Sequence, residues 1–415
     1  GWISGNLFQN QRVSQSYSQN VDAKLSLEPF NDFRIELEAN RRFDENKLLL
    51  FKDFHDEGVP PGTFDHRDLQ TIGSFEISYF AMRTLFGRDT DDLFAEFEDN
   101  RAVISNRLGF GIHDNEEEVA YSEGYGRVQE SVLVPAFLAA YSGFDANTME
   151  IDEDFSKPLF NTLPRINWNL TYNGLTKIGN LRDIFQSVKL SHGYRSSLTV
   201  NSFNNDQAFN NDLPQAKDDN SNYYSRFQVP NMVIDEAFSP LLGLSIKTKG
   251  GMDFNVDFKK ARNLSMSFSN FVLSEQQTEE YVVGFGYTMQ NVYIPMFYGK
   301  GGKKKNSSRR SRKPKTDSDN EDDKSQGTAK GSDLNFQFDF ALRDDVTLNH
   351  SLDQDFSEET RGARTLTISP SVDYDVSERL NVRLFFDHRS TTPKTSLGFP
   401  TSNTSAGVTV RFSLN

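Results

Sequence analysis

The residues able to do chemistry are few and scattered. His55 and His66 lie among Asp53, Asp56, Asp65 and Asp68, a mixture of nitrogen and oxygen donors that a divalent metal takes. Their spacing fits neither a zinc template nor an EF-hand, and a solvated loop is the reading they favour. Asp145, Asn147, Glu150, Asp152 and Asp154 crowd hard oxygen ligands of the kind calcium binds, without the glycine such a loop requires. His113, His192, His350 and His388 stand apart from one another, and no Gly-x-Ser-x-Gly elbow is present to carry a nucleophile. Gly124-Tyr125-Gly126 lacks the third glycine and the preceding strand of a nucleotide loop. Lys300 to Lys330 carries a basic block followed by an acidic one, a self-neutralising linker that reads as a disordered outer loop. No catalytic residue, metal site or cofactor is expected.

The chemistry therefore has to lie in surfaces, and composition says which kind. Of 415 residues only 36% are hydrophobic, yet 36 are Phe and 14 are Tyr. Mean hydropathy is -0.61. A disordered chain this polar would be poor in aromatics, whereas strands with one apolar and one wet face would be rich in them. The net charge of -14 lacks the basic footprint of a nucleic-acid binder, so no nucleic acid is expected as a partner. With no cysteine there are no disulfides or thiolate metal sites. The longest apolar run, Val132 to Tyr141, is half the length of a membrane helix and contains Pro135. The chain opens Gly-Trp with no signal-like segment, which for an exported protein implies a longer precursor.

The strongest signal is alternation with period two. Phe254, Val256 and Phe258 interleave with Asn255, Asp257 and Lys259; Phe336, Phe338 and Phe340 interleave with Asn335, Gln337 and Asp339. Leu380 to Asp387 and Val408 to Leu414 repeat the pattern, as do Phe33 to Asn40 near the start. In a strand such residues face opposite sides. A soluble β-sandwich also alternates. Segments of about ten residues, charged or Ser/Asn-rich polar faces, aromatic apolar faces and connections that alternate short with long favour a membrane barrel.

Thirteen wall strands are predicted, at 13–27, 33–43, 165–174, 187–203, 239–249, 252–260, 263–273, 279–289, 333–342, 346–355, 364–374, 379–389 and 404–414. Short links are expected at Glu28 to Asp32, Thr248 to Met252, Ala261–Arg262, Ser274 to Thr278, Arg343 to Asp345 and Asp375 to Glu378. The expected fold is an all-β antiparallel transmembrane barrel with barrel strands at 1–43 and 164–415. Residues 44–163 form a cap-like mixed α/β extracellular insert, and long outer loops fall at 204–237 and 299–331. Within the insert, Asp89 to Leu108 and Val128 to Tyr141 read as helices, the second ending at Gly143. Ser74 to Arg83 reads as a strand and is assigned to the insert. Thirteen is odd where bacterial single-chain barrels are even, and an open edge in lipid is costly. The count implies a wall completed by further strands.

Several segments resemble the C-terminal region of the SprA/Sov family of Bacteroidota outer-membrane translocons. They are VLVPAFLAAYSG at 132–143, LPRINWNLTYNGLTK at 163–177, LSHGYRSSLTVNSF at 190–203 and the run FSPLLGLSIKTKGGMDFNVDFKKARNLSMSFSN at 238–270. RLNVRLFFDHRSTTPKT at 379–395 and LGFPTSNTSAGVTVRFSL at 397–414 follow in order. The resemblance implies the last part of a giant single-chain barrel, the protein-conducting channel of the type IX secretion system. Such a channel passes folded cargo bearing C-terminal secretion signals across the outer membrane and is linked to gliding motility. Implied partners are a PorV-like shuttle protein, a plug protein, secreted cargo and outer-membrane lipid. No catalytic residues are implied.

Alternation assigns the faces. Lys189, Ser191, Arg195, Ser265, Ser267, Asn335, Gln337, Asp339, Thr367, Ser369, Arg383 and Arg411 are expected to line a lumen. Phe254, Phe258, Phe336, Phe338, Phe340, Phe386 and Phe412 are expected to face lipid, as is His350 near a strand end. A porin or TonB-dependent transporter, or a surface adhesion or motility scaffold, shares much of this pattern and remains an alternative.

Overall fold

The computed structural model describes residues 11–53, 64–86, 90–111, 120–210, 212–294, 332–354, 356–377, 379–396 and 398–413; side chains at 51–53 and 64–68 are not described. His55, Asp56 and His113, the side chains of His66, Asp53, Asp65 and Asp68, the linker at 300–331 and Leu414 lie outside what is described. The strands are β1 (Val13–Phe30), β2 (Phe33–Asp53), β3 (Phe64–Ser78), β4 (Asn167–Tyr172), β5 (Phe185–Asn205) and β6 (Phe227–Gln228). They continue with β7 (Asn231–Thr248), β8 (Met252–Ser267), β9 (Val272–Val292), β10 (Ser332–Ser351), β11 (Ser357–Ser377), β12 (Leu380–Pro393) and β13 (Thr401–Phe412). The helices are α1 (Thr90–Leu108), α2 (Glu130–Ser142), α3 (Ser156–Phe160) and the single turn α4 (Leu181–Ile184).

All thirteen strands form one antiparallel sheet in the order β1-β2-β3-β5-β7-β8-β9-β10-β11-β12-β13. Among the described residues β1 pairs only with β2 and β13 only with β12, so the sheet is open at both edges. β4 also lies between β2 and β5, over registers below those β3 occupies. Thus β3 and β4 share one lane. The chain leaves that lane at Ser78 and returns through the Arg165 N–H donating to the Ser78 carbonyl at 2.8 Å. The described residues between them, within 79–166, fold into the helical insert.

These elements correct several expectations. Ser74 to Ser78 belongs to the sheet, because Phe75 and Ile77 pair with Phe43 and Arg41 on one side and Val200 and Leu198 on the other. The β portion of the expected insert is therefore wall, and β2 itself runs on to Asp53. The links expected at Ala261–Arg262, Ser274 to Thr278 and Arg343 to Asp345 are mid-strand, inside β8, β9 and β10. The tight hairpin lies at Phe268 to Phe271 instead. Charged residues at these points read as turns from sequence, but here they pair across strands. Strands β9 and β11 have 21 residues each, roughly 65–70 Å of extended chain, where a membrane needs about 9–11 residues.

The long link after β9 also changes ends. The chain leaves the sheet beyond Val292, which pairs with Ser332. That is the end of the short turns at Thr248 to Met252 and Ser377 to Leu380, not the end carrying the insert. Orientation by loop length alone placed 299–331 on the opposite side. The loop after β5 is shorter than expected, since β7 begins at Asn231. Part of it is tied to the insert: Gly126 N–H donates to the Asn222 carboxamide oxygen at 2.9 Å, and Lys217 pairs with Glu123 at 2.6 Å.

The insert forms because its helices have nowhere wet to go. α1 places Leu93, Phe94, Phe97, Ile104 and Leu108 on one buried stripe. α2 is apolar all round and buried on nearly every residue. Its first turn is capped by the Gln129 side chain, which accepts from Val132 N–H, and it stops at Gly143 with φ 68°, a left-handed cap that favours glycine. Both pack on Phe75, Ile77, Leu198, Val200, Ile234, Leu264 and Met266 of the sheet.

Candidate functional site

The functional surface is the sheet itself, and its register sorts the side chains. One row of directly opposed residues runs Trp168, Tyr194, Phe238, Lys260, Glu279, Asp344, Arg364 across β4, β5, β7, β8, β9, β10 and β11. Its first part is aromatic: Trp168 and Tyr194 rings are 4.8 Å apart, as are those of Tyr194 and Phe238. Its second part is ionic, with Lys260–Glu279 at 2.7 Å and Arg364–Asp344 at 2.9 Å, and Lys394 also pairing with Asp344.

This row divides one face of the sheet in two. On the insert side the face continues with Arg262, Leu264 and Met266, all buried under helices. On the short-turn side lie Phe258, Tyr281, Leu342 and Leu366, then Val256, Val283, Phe340 and Ile368, then Phe254, Phe285, Phe338 and Pro370. Met252, Tyr287, Phe336, Val372, Leu384 and Val408 make a further row. Nothing described covers these rows: most are half-buried by their neighbours alone, and Tyr281, Leu384 and Val408 are exposed. From Tyr374 to Leu366 the band runs about 26 Å along the strand.

The opposite face is polar. Asn335 stands between Thr288 and Asp373, Gln337 between Gly286 and Ser371, and Asp339 between Gly284 and Ser369. Thr367 faces Ala341 and Arg389; Arg383 faces Asp373 and Thr409; Arg411 faces Asn381. Lys189, Ser191 and Arg195 face Ser245, Gly243 and Ala237, while Ser265 and Ser267 face Val233 and Asn231. Thr288 Oγ1 donates to Asn335 at 2.8 Å and Gln337 Nε2 to Asp339 at 2.8 Å. The register therefore puts all twelve of these residues on one face, and Phe254, Phe258, Phe336, Phe338, Phe340, Phe386 and Phe412 on the other. Arg195 stands apart from the rest in a basin of about 690 Å³ with Asp22, Glu38, Glu76 and Asp235.

His350 lies on the apolar face, but beyond the dividing row. It is fully buried and stacked on Phe94 of α1 with ring centroids 4.2 Å apart. The expected lipid contact is replaced by a helix. Sequence alternation finds a face but not what covers it.

Two groups were missed. Glu236 and Arg262 form a fully buried ion pair, and Arg262 also donates to Thr84 Oγ1 at 2.7 Å, at the start of the insert. Tyr194 donates its hydroxyl to Glu236 at 3.3 Å and accepts from Ala81 N–H at 3.2 Å. Arg101 of α1, also buried, donates to the Leu352 carbonyl in the β10–β11 turn at 2.7 Å. The available signals were an acid set between Ile234 and Phe238 on one face of a strand, and an arginine on the helix stripe of Phe97 and Ile104.

The acidic run at 145–154 does not converge. Asp145 accepts from Asn147 N–H at 2.9 Å, Asp152 pairs with Lys157 at 3.0 Å and Asp154 accepts from Ser156 Oγ at 2.5 Å, each within its own turn. Among the described residues no three His, Cys, Asp or Glu side chains gather as a metal requires, and no helix is long and apolar enough to cross a membrane.

No protein-family profile matches the chain, and no curated protein matches it. Among solved structures the chain is similar to in-vitro folded OmpT, an outer membrane protein of Vibrio cholerae in its trimer form. Identity is 9%, the match covers 97% of this chain and 99% of that one, and the TM-score is 0.21. A score of that size carries no argument about closure or function.

Proposed function

We propose that this chain is part of the wall of a large outer-membrane β-barrel that conducts proteins to the cell surface. The observation that carries the membrane reading is the apolar face. Protein covers it on one side of the Trp168–Arg364 row and nothing described covers it on the other. An uncovered, aromatic-rich band of this size on a soluble protein would be an aggregation liability. In a barrel it is the lipid-facing band, about 25 Å tall and flanked by an aromatic girdle. The insert end is then extracellular and the short turns, with the ends of the 293–331 segment, periplasmic.

The type IX secretion reading is supported by the sequence resemblance. Its mechanism is a conduit rather than a reaction. Barrel diameter grows with strand number, and only a very large barrel passes a folded domain. Lys189, Ser191, Arg195, Ser265, Ser267, Asn335, Gln337, Asp339, Thr367, Ser369, Arg383 and Arg411 line the lumen in this reading. Small and mixed-charge groups offer cargo little specific adhesion. Partners are a PorV-like shuttle protein, a plug protein and cargo with C-terminal secretion signals, with gliding motility downstream. The alternative porin or TonB-dependent transporter needs β1 and β13 to close on each other.

Electron cryomicroscopy of the protein extracted from its outer membrane tests the proposal by counting strands. A single barrel approaching 36 strands, with this chain supplying consecutive wall strands, supports a protein-conducting channel. A closed barrel made from these strands alone returns the porin reading.

A further inference from the structure

At the lower edge of the insert, where the polypeptide leaves and re-enters the β3/β4 lane, a groove of about 460 Å³ opens beside the girdle row. Its floor and walls include Phe80, Phe144, Ile166 and Trp168, and its only charged lining residues are Arg83 and Arg165. Phe144 is 39% and Ile166 52% exposed, high values for side chains of this kind beside a folded core. Both arginines are exposed. Arg83 donates weakly to the Gly143 carbonyl at 3.4 Å, and among the described residues neither guanidinium has a carboxylate partner. This is unusual in a chain of net charge -14, where among the described residues most cations on the sheet are paired.

We propose that this groove holds one phosphate-bearing membrane lipid, its acyl chain against Phe80, Phe144, Ile166 and Trp168 and its phosphate between Arg83 and Arg165. The inference rests on the membrane reading for its setting. Two features argue for this occupant. Trp168, at the groove, lies on the same sheet face as the uncovered band, and Leu170 beside Ile35 of β2 carries that apolar face on toward the short turns, so an acyl chain would enter from the bilayer side. The charge at its mouth is complementary to phosphate, which arginine binds through paired N–H donors. The height is also right, because aromatic girdles sit where headgroups begin. Bound there, the lipid would seal the joint between insert and bilayer.

Native mass spectrometry of the full chain in detergent, with added phosphatidic acid, phosphatidylcholine or inorganic phosphate, tests this. Wild type is expected to retain one phosphatidic acid in preference to phosphatidylcholine. The double variant Arg83→Gln/Arg165→Gln loses about tenfold or more of that retention, while Arg83→Lys/Arg165→Lys keeps most of it. Inorganic phosphate at equal concentration does not displace the lipid. Equal retention of both lipids by wild type overturns the proposal even if the double variant fails to fold. So does unchanged retention in a folded double variant, and displacement by phosphate replaces the lipid with a free anion. Flotation with phosphatidylcholine vesicles separates the two readings. A chain that floats but shows no lipid preference keeps the wall and loses the groove. One that retains phosphatidic acid but never floats keeps the groove and loses the wall.

Discussion

The apolar face of the sheet is one alternating pattern with two fates. Above the Trp168–Arg364 row, Leu264, Met266, Leu198 and Ile234 are fully buried beneath α1 and α2. Below it, Phe254, Phe338 and Phe340 are only half-buried, by their neighbours in the sheet. The residue types differ little; the covering differs entirely. A strand thus encodes which side is apolar, and a separate piece of chain decides whether protein or another apolar medium satisfies it. The two halves should therefore respond to different perturbations.

The largest effect is expected in the covered half. Phe97→Ala empties the α1 contact with the sheet and should cost about 3–5 kcal/mol, with or without lipid. Thermal unfolding in detergent measures it; a loss below about 1 kcal/mol would mean the insert is only loosely seated. Arg262→Met leaves Glu236 buried and unpaired, costing about 3–5 kcal/mol, and adding Glu236→Leu should recover most of that. A double variant as unstable as the single one would show that the network with Tyr194 and Thr84, not the charge, sets the stability.

In the uncovered half, Phe338→Lys should cost about 2–4 kcal/mol, and only where a bilayer is present. The gel mobility of heated and unheated samples after assembly into vesicles reports it. Its neighbour Gln337, on the polar face, gives the contrast: Gln337→Lys should stay within about 0.5 kcal/mol of wild type. Equal damage from both would break the face assignment.

A subtler difference is in pH. Burial pushes the pKa of Glu130, at the start of α2, from 4.5 up to about 8. The folded state therefore holds a proton that the unfolded state releases. Stability is fully present below pH 4.5 and declines as pH rises toward 8. Glu130→Gln should flatten that decline, read as insert unfolding by near-ultraviolet circular dichroism at acidic and basic pH. A parallel slope in both proteins would place the titrating group elsewhere.

The legibility of the molecule follows the range of the forces involved. The β1–β2, β7–β8 and β11–β12 turns and the helices α1 and α2 are local signals, and sequence reads them close to their observed places. The strand total agrees with expectation only because errors cancel: β8 and β9 were read as three strands and β10 as two, while β3 was assigned to the insert and β6 to a loop. Lys259, Lys260 and Arg262 look like a turn until Glu280, Glu279 and Glu236 stand opposite them, and that opposition exists only once registers are set.

Sequence alone determined that the strands alternate and which residues share a face, because side-chain direction follows from backbone period; it also showed that no apolar run reaches the length of a membrane helix. Tertiary structure decided that β3 and β4 share a lane and that the long segment after β9 leaves from the short-turn end. It also decided that His350 meets Phe94. Each of these depends on which strand lies beside which, a choice made by contacts between residues far apart in the chain.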